Sequence, residues 1–115
     1  MEYGEVKISD EVVGTIAALA AFNVNGVLGI SGVQSADKLN KKKLQRGVRV
    51  SIDNRAVTVQ VYLDVDFGSN IVEVAKNVQQ EIKTQIELMT GLNVAQVNVQ
   101  VQNVRAAKAV AGSKE

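Results

Sequence analysis

The hydrophobic pattern changes from a helical period to a strand period close to Gly91, and this change constrains the fold more than any other feature. Before Gly91, apolar side chains recur every three or four positions along an otherwise polar helix: Ile71, Val74, Ala75, Val78, Ile82, Ile86 and Met89. After Gly91, valines alternate with amides as Val97, Asn98, Val99, Gln100, Val101 and Gln102. This succession predicts a small α+β domain with helices on one face of a sheet.

A second alternating pattern, between residues 48 and 65, predicts a β-hairpin. Apolar residues occupy every second position on both sides of the turn Asp53-Asn54-Arg55: Val48, Val50, Ile52, Val57, Val59, Val61, Leu63 and Val65. A slip of one residue in the pairing would expose these side chains to water, so a firm register is expected. Ser69 or Asn70 is predicted to cap the helix that follows.

The first 26 residues predict one strand and one helix. Weak alternation over residues 3–8 predicts a short edge strand, and Ser9 and Asp10 then offer oxygens that can cap a helix. This helix is predicted to end near Gly26. Its apolar side consists of Val12, Val13, Ile16, Ala17, Leu19 and Ala20.

The predicted fold is a two-layer α+β domain with the element order β-α-β-β-α-β. Two helices pack on one face of a small, three- to four-stranded, mostly antiparallel sheet. The chain has 115 residues, for which one domain is the ordinary expectation, and we assign that domain to residues 1–105. Residues 34–46 are predicted to be a flexible basic loop with one helical turn around residues 36–44, and residues 106–115 a disordered tail.

The composition excludes several classes of chemistry. The chain has no Cys and no His, so it lacks thiol nucleophiles, Cys/His zinc sites and histidine bases. Its net charge of +1 is not the basic excess of a dedicated nucleic-acid-binding protein. No apolar run approaches the roughly 18 residues of a membrane span, and the N-terminus lacks the features of a signal peptide. We therefore expect a cytoplasmic protein without catalytic residues, cofactor, metal or small-molecule substrate.

The face of the sheet opposite the helices is predicted to be polar. It would carry Arg49, Ser51, Thr58, Gln60, Tyr62, Asp64, Asn98, Gln100 and Gln102. One interpretation is an ordinary solvated face. The other is a surface for protein binding or self-association, with Arg49, Gln60, Tyr62, Gln100 and Gln102 as candidate partner-binding residues. An edge strand at residues 97–104 could also pair with a second copy across a two-fold axis.

A run of basic residues forms a second candidate surface. Lys41, Lys42, Lys43 and Arg46 could bind anionic lipid, nucleic acid or an acidic protein, or could simply be solvated. No aromatic residues are interleaved with them, which disfavours the stacking of bases.

Two further motifs have a functional and a structural interpretation. Gly29-Ile30-Ser31-Gly32 has the GxxG spacing of a KH-type RNA-binding loop, although the inner pair is not basic. Its structural interpretation is a turn packed under the sheet. Asp64 and Asp66 lie two apart on one strand and could bind a cation or share a proton, or could simply belong to the polar face.

Six stretches of the chain carry a family resemblance: GEVKISDEVV at residues 4–13, NGVLGISG at 25–32, GVRV at 47–50, YLDVDFG at 62–68, the helix and its end at 72–92, and VNVQV at 97–101. Together they resemble the alkaline shock protein family, also called the envelope stress response family, of mainly Gram-positive bacteria. The resemblance covers about residues 3–104 and is to a short, single-domain member.

The resemblance implies a cytoplasmic, non-enzymatic protein of cell-envelope homeostasis and stress. Some members dock to a membrane-anchored partner of similar domain, and others are linked to the control of fatty-acid synthesis. The expected function is accordingly that of an interaction module with protein partners, which also forms homo-oligomers. A KH-like nucleic-acid-binding module, using residues 29–32 and 41–43, is the alternative, and a small enzyme is a third hypothesis.

Overall fold

The computed structural model describes residues 3–31, 33 and 40–106 of the chain. Within them the chain folds into an α+β domain with three helices and a four-stranded sheet, which confirms the predicted fold class. The elements in chain order are α1 (Asp10–Phe22), β1 (Val27–Ile30), α2 (Lys41–Gly47), β2 (Val48–Asp53), β3 (Ala56–Asp66), α3 (Ile71–Thr90) and β4 (Asn93–Arg105).

Helix α3 begins and ends where the apolar period predicts. The Asn70 side chain accepts a hydrogen bond from the Glu73 amide at 3.0 Å, which satisfies a backbone donor of the first turn. At the other end Gly91 has a φ of 75°, the left-handed conformation that commonly ends helices. The middle of the predicted apolar stripe is buried, whereas its two ends, Ile71 and Met89, are exposed.

Strand β3 lies at the centre of the sheet and contacts all the other strands. Strand β4 lies parallel to it along one edge, while β1 and β2 are both antiparallel to it. Ile30 of β1 pairs with Leu63 and Val48 of β2 pairs with Val61, so β1 and β2 follow one another along the second edge. The pairing of β3 with β4 is parallel because α3 returns the chain across the sheet before β4 begins.

The β2–β3 hairpin confirms the predicted turn. Asn54 and Arg55 have φ values of 54° and 66°, and Asp53 pairs with Ala56 directly across the connection. Two residues with positive φ produce a turn whose twist matches that of the flanking strands. The inward-facing residues of β3 are fully buried: Val57, Val59, Val61, Leu63 and Val65.

Helices α1 and α3 cover the same face of the sheet and enclose the core. Four small residues of α1, Ala17, Ala18, Ala20 and Ala21, are buried and permit a close approach to the neighbouring elements. Ser9 caps this helix by accepting a hydrogen bond from the Val12 amide. Two residues of its predicted apolar side, Val12 and Leu19, are instead about half exposed.

The prediction of an N-terminal strand at residues 3–8 is wrong. These residues belong to no strand and Val6 is 88% exposed. The first strand of the described residues is β1. The alternation over residues 3–8 offers only two aliphatic side chains for burial. Strand β1, by contrast, places the fully buried Ile30 against β3.

The basic segment contains the helix α2, whereas the sequence predicts a flexible loop with one helical turn around residues 36–44. In α2, Asn40 accepts a hydrogen bond from the Lys43 amide at 2.9 Å, and Leu44 is buried in the core. The burial of Leu44 fixes this short helix, because seven residues are too few for a stable isolated helix. The remainder of the predicted loop, residues 34–39, and the predicted tail beyond residue 106 lie outside the described residues.

Gly47 allows the start of β2 to pack against the end of β1. A Cβ atom at this position would overlap Cγ2 of Ile30 and would lie only 3.0 Å from the Cβ of Ser31, closer than ordinary van der Waals contact. Both strands pair with β3 on either side of Tyr62, so neither can move away without breaking the sheet.

We therefore expect Gly47→Ala to lower the free energy of unfolding by about 1–3 kcal/mol, since an added methyl group overpacks a rigid contact. Chemical denaturation measures this change. Gly14→Ala in α1 is the matched control, because a Cβ there would meet its neighbours at 3.7–3.9 Å, which is ordinary contact. The control variant should have the free energy of unfolding of the wild type or one up to about 1 kcal/mol higher. Equal losses in both variants would contradict the role of Gly47.

Glu87 connects the end of α3 to the start of β4. Its carboxylate accepts hydrogen bonds from the Val94 amide at 3.0 Å and from Lys83 Nζ at 2.9 Å. The Val94 amide, followed by Lys83, holds the pKa of Glu87 below its usual value. Because the pKa is lower in the folded state, the stabilisation is complete above the ordinary glutamate pKa of about 4.3 and is lost as the pH falls through the folded pKa.

Glu87→Gln should therefore reduce the acid sensitivity of the fold. Below about pH 5, the melting temperature of the variant should fall less steeply than that of the wild type, as measured by calorimetry. Glu5→Gln, at an exposed position, is the control and should retain the slope of the wild type. A wild-type slope in Glu87→Gln would show that the carboxylate has no such role.

Candidate interaction face and basic edge

The face of the sheet opposite the core is covered by none of the three described helices, whose buried side chains all belong to the core on the other side. Two rows of side chains cross β2, β3 and β4 on this face: Ser51, Thr58 and Gln96, then Arg49, Gln60 and Asn98. A third row pairs Tyr62 with Gln100. We call these eight residues the open face. It brings together four of the five predicted partner-binding residues: Arg49, Gln60, Tyr62 and Gln100.

The open face is polar but nearly uncharged. Arg49 is its only charged residue, and the others carry amide, hydroxyl or phenol groups. The three β3 residues, Thr58, Gln60 and Tyr62, are half-buried between the neighbouring strands, while those on β2 and β4 are exposed. The face therefore offers hydrogen-bonding groups held in place by the sheet, at little cost in desolvated charge.

Gln102 is predicted to belong to the open face, but it does not. Strand β4 has 13 residues against 11 in β3, and two bulges absorb the difference. Leu63 pairs with Val101 and Asp64 with Asn103, so Gln102 is exposed and has no partner residue on β3. A bulge adds one residue to one strand and breaks the alternation on which the prediction relied.

Asp64 is not a solvated member of the polar face, and this prediction is also wrong. Its side chain is only 1% exposed because the end of β4 covers it. Asn103 Nδ2 donates to Asp64 Oδ1 at 3.2 Å, and Arg105 Nη2 donates to Asp64 Oδ2 at 3.1 Å. The carboxylate is thus engaged in a structural ion pair that joins the ends of β3 and β4.

The hypothesis of a cation site at Asp64 and Asp66 gains no support. Arg105 already neutralises Asp64. Among residues 3–31, 33 and 40–106, no group of three or more acidic side chains is placed to hold a metal ion. In the same part of the chain, no helix is both long enough and apolar enough to cross a membrane.

The basic run meets the open face at Arg49. Lys42 and Arg46 lie one turn apart on α2 and line a shallow pocket with Arg49 and Ser31. We call these four residues the basic edge. Of the other predicted basic residues, Lys43 is exposed outside this pocket, and the side chain of Lys41 is not among the described parts of the chain.

Arg49 links the two surfaces through its contact with Tyr62. Its guanidinium carbon lies 5.9 Å from the centre of the Tyr62 ring, within the range of a cation–π interaction. This contact restricts the arginine side chain at the border between the basic edge and the open face. Sequence reasoning missed two residues. Ser31 joins the basic edge through the turn after β1, and Gln96 joins the open face through the register of β4.

The GxxG segment does not adopt the arrangement of a loop between two helices. Gly29 and Ile30 belong to β1, Ile30 is fully buried, and Ser31 begins a turn at the strand end. The Ser31 amide donates to the Tyr62 carbonyl at 3.1 Å, so this backbone belongs to the sheet edge. Gly32 lies outside the described residues, and the described part lends no support to a KH-like loop.

The fold and the site define a two-layer α+β domain with one helix-covered and one open sheet face. Solved structures of the MamM CTD share this fold. A cadmium form of a MamM CTD variant gives a TM-score of 0.52 at 16% identity, with 83% of this chain and 98% of that chain covered. A manganese form gives 0.50 at 16% identity, with 81% and 96% covered. At this identity the likeness concerns the fold alone.

The chain belongs to the alkaline shock protein 23 family, which is described as having a cell envelope-related function and whose sequence profile matches residues 1–106. The predicted family is thereby confirmed.

Its relatives include proteins of Gram-positive bacteria. YloU of Bacillus subtilis is 34% identical over 109 residues, covering 90% of this chain and 91% of YloU. Spy1614 of Streptococcus pyogenes is 34% identical, covering 89% and 88%. A Streptococcus pyogenes protein named as a stress response regulator gls24 homolog is 27% identical, covering 89% of this chain and 59% of that protein.

The ion pair of Asp64 with Arg105 gives a direct test of how the open face is held at its end. Asp64→Asn should lower the free energy of unfolding by about 1–3 kcal/mol, because a buried charge-assisted hydrogen bond is lost. Asp53→Asn, at an exposed hairpin position, is the control and should change it by less than about 0.5 kcal/mol. Urea denaturation compares the two variants. If Asp64→Asn left the free energy of unfolding unchanged, the ion pair with Arg105 would not contribute to stability.

Proposed function

We propose that the protein is a non-enzymatic interaction module that acts in cell-envelope homeostasis or stress response through protein–protein contacts at the open face. The observation that carries this proposal is the absence of any described helix over a sheet face rich in amides. The family's cell envelope-related description supports the process, and the stress-response name of a relative is consistent with it.

The chemistry of the open face suits a protein partner. Tyr62 and Arg49 are of the residue types that contribute most to binding energy at interfaces, and their mutual contact restricts both side chains before binding. The surrounding amides can donate and accept hydrogen bonds without carrying charge. Gln60 and Gln100 flank this pair on β3 and β4 and would supply the orientation-dependent contacts.

The cellular setting is part of the proposal. We place the protein in the cytoplasm, where a membrane-anchored partner of the same family would recruit it to the membrane. Contacts of this kind could also modulate the enzymes of envelope lipid synthesis.

Self-association through the outer edge of β4 is a second contact that we propose. Two features limit the length of β4 that could pair with another strand. They are the bulges at Ala95 and Gln102, and a hydrogen bond of 3.0 Å from Gln79 Nε2 to the Val97 carbonyl. Bulges and occupied carbonyls restrict pairing with another strand. A second copy would therefore pair with residues 98–101. A strictly monomeric mass in light scattering at high concentration would exclude this contact.

The open face is tested by placing charges on it. In affinity capture from a lysate of the native host, Asn98→Lys/Gln100→Lys should lose the envelope and lipid-synthesis proteins that the wild type recovers. The matched control, Asn77→Lys/Gln80→Lys, adds the same charge to exposed positions of α3 and should retain them. Quantitative mass spectrometry measures recovery with and without nuclease.

Three outcomes would contradict the proposal. Equal recovery by both variants would show that binding does not use the open face, and recovery of no envelope or lipid-synthesis protein by the wild type would remove its support. Recovery that depends on intact nucleic acid would instead favour the KH-like alternative.

A further inference from the structure

We infer that the basic edge is a binding site for a single phosphate group, carried either by a small molecule or by a lipid headgroup. The basic edge shares Arg49 with the open face, but the inference does not require the proposed partner there. It rests on the convergence of Ser31, Lys42, Arg46 and Arg49 on one pocket.

Three separate parts of the chain supply these groups. Lys42 and Arg46 are four residues apart on α2, so their side chains leave the same side of the helix. Arg49 comes from β2, and Ser31 from the turn after β1. Among the described residues that line the pocket, none is acidic.

The three cations have no ion-pair partner within the described residues. The described ion pairs are Lys83 with Glu87 and Arg105 with Asp64, and both lie elsewhere. Neighbouring like charges repel, and an anion placed among them would relieve this repulsion. Anions with several oxygens fit best, because each guanidinium presents paired N–H donors that match two phosphate oxygens.

The backbone holds the site before any ligand arrives. Gly47 lets the α2–β2 junction pack directly against Ile30 and Ser31, which brings both arginines beside the β1 turn. The Ser31 amide is fixed by its hydrogen bond to the Tyr62 carbonyl, and the Tyr62 ring restrains Arg49. Such preorganisation lowers the entropic cost of binding.

The size of the charged cluster indicates one phosphate group rather than a polyanion. Beyond Arg49, the open face carries no charged side chain that could follow a nucleic-acid backbone. Tyr62 is its only aromatic residue, whereas nonspecific nucleic-acid sites combine an extended basic groove with several stacking rings. The arrangement therefore fits a phosphomonoester, whose charge the three cations can balance.

Titration of the purified protein with inorganic phosphate, followed by two-dimensional NMR at constant ionic strength, tests the site. We expect saturable shifts of the Ser31, Arg46 and Arg49 amides. Arg46→Gln/Arg49→Gln should weaken the affinity at least about tenfold, since two charge-assisted contacts are lost. The control Lys7→Gln/Lys76→Gln removes the same charge at exposed positions and should bind like the wild type.

A vesicle flotation assay distinguishes the two sources of the phosphate. The probes are phosphatidylcholine vesicles containing either phosphatidic acid, which carries a phosphomonoester, or phosphatidylglycerol, which carries a phosphodiester. Flotation with phosphatidic acid alone, lost in Arg46→Gln/Arg49→Gln, would identify a lipid headgroup. Saturable phosphate binding without flotation would identify a soluble phosphomonoester.

The inference is overturned if phosphate produces no saturable shifts, or if both double variants lose affinity equally. Thermal melting checks that the variants are folded, which we expect because Arg46 and Arg49 are both exposed. If Arg49→Gln disturbs the sheet through Tyr62, Lys42→Gln/Arg46→Gln provides the same test from α2 alone. Because these measurements use purified protein, their failure would leave the capture experiment on the open face unaffected.

Discussion

The burial of one face of β3 is the constraint on which the rest of the structure depends. Its five inward side chains, Val57, Val59, Val61, Leu63 and Val65, are fully buried, and β3 pairs with every other strand. Because a one-residue slip would expose all five, the register of β3 is firmly set. The open face follows from the same register, since its three β3 residues alternate with the buried ones.

The basic edge follows from a break in the strand that pairs with β3. Strands β1 and β2 lie one after the other along the same edge, and the chain leaves this edge at Ser31 and returns at Gly47. The Ser31 amide donates to the Tyr62 carbonyl, and Val48, which follows Gly47, pairs with the neighbouring Val61. The end of α2 is therefore placed where the two candidate surfaces meet. A charged segment that could have been an ordinary solvated loop thereby gains a fixed position next to Arg49.

The elements with long, regular patterns could be predicted from the sequence, and the bounds of α3 and the hairpin turn are correct. The errors occur where tertiary contacts override a weak or interrupted pattern. Residues 3–8 have a strand-like alternation but too little apolar surface, and β1 takes the place beside β3. Gln102 follows the alternation of β4 in sequence, yet the bulge beside it removes it from the open face. Asp64 has the position of a surface residue but is covered by Arg105 and Asn103 from the distant end of β4.

The sequence by itself determined the secondary structure of the strongly periodic segments, the polarity of the open sheet face and the family. These properties are local or compositional, because a period of 3.6 or 2 specifies which side chains share a face. Tertiary structure alone decided that β4 is parallel to β3, that Asp64 is paired, and that Lys42, Arg46, Arg49 and Ser31 share one pocket. Each of these depends on residues far apart in the chain, which only the packing of the helices on β3 brings together.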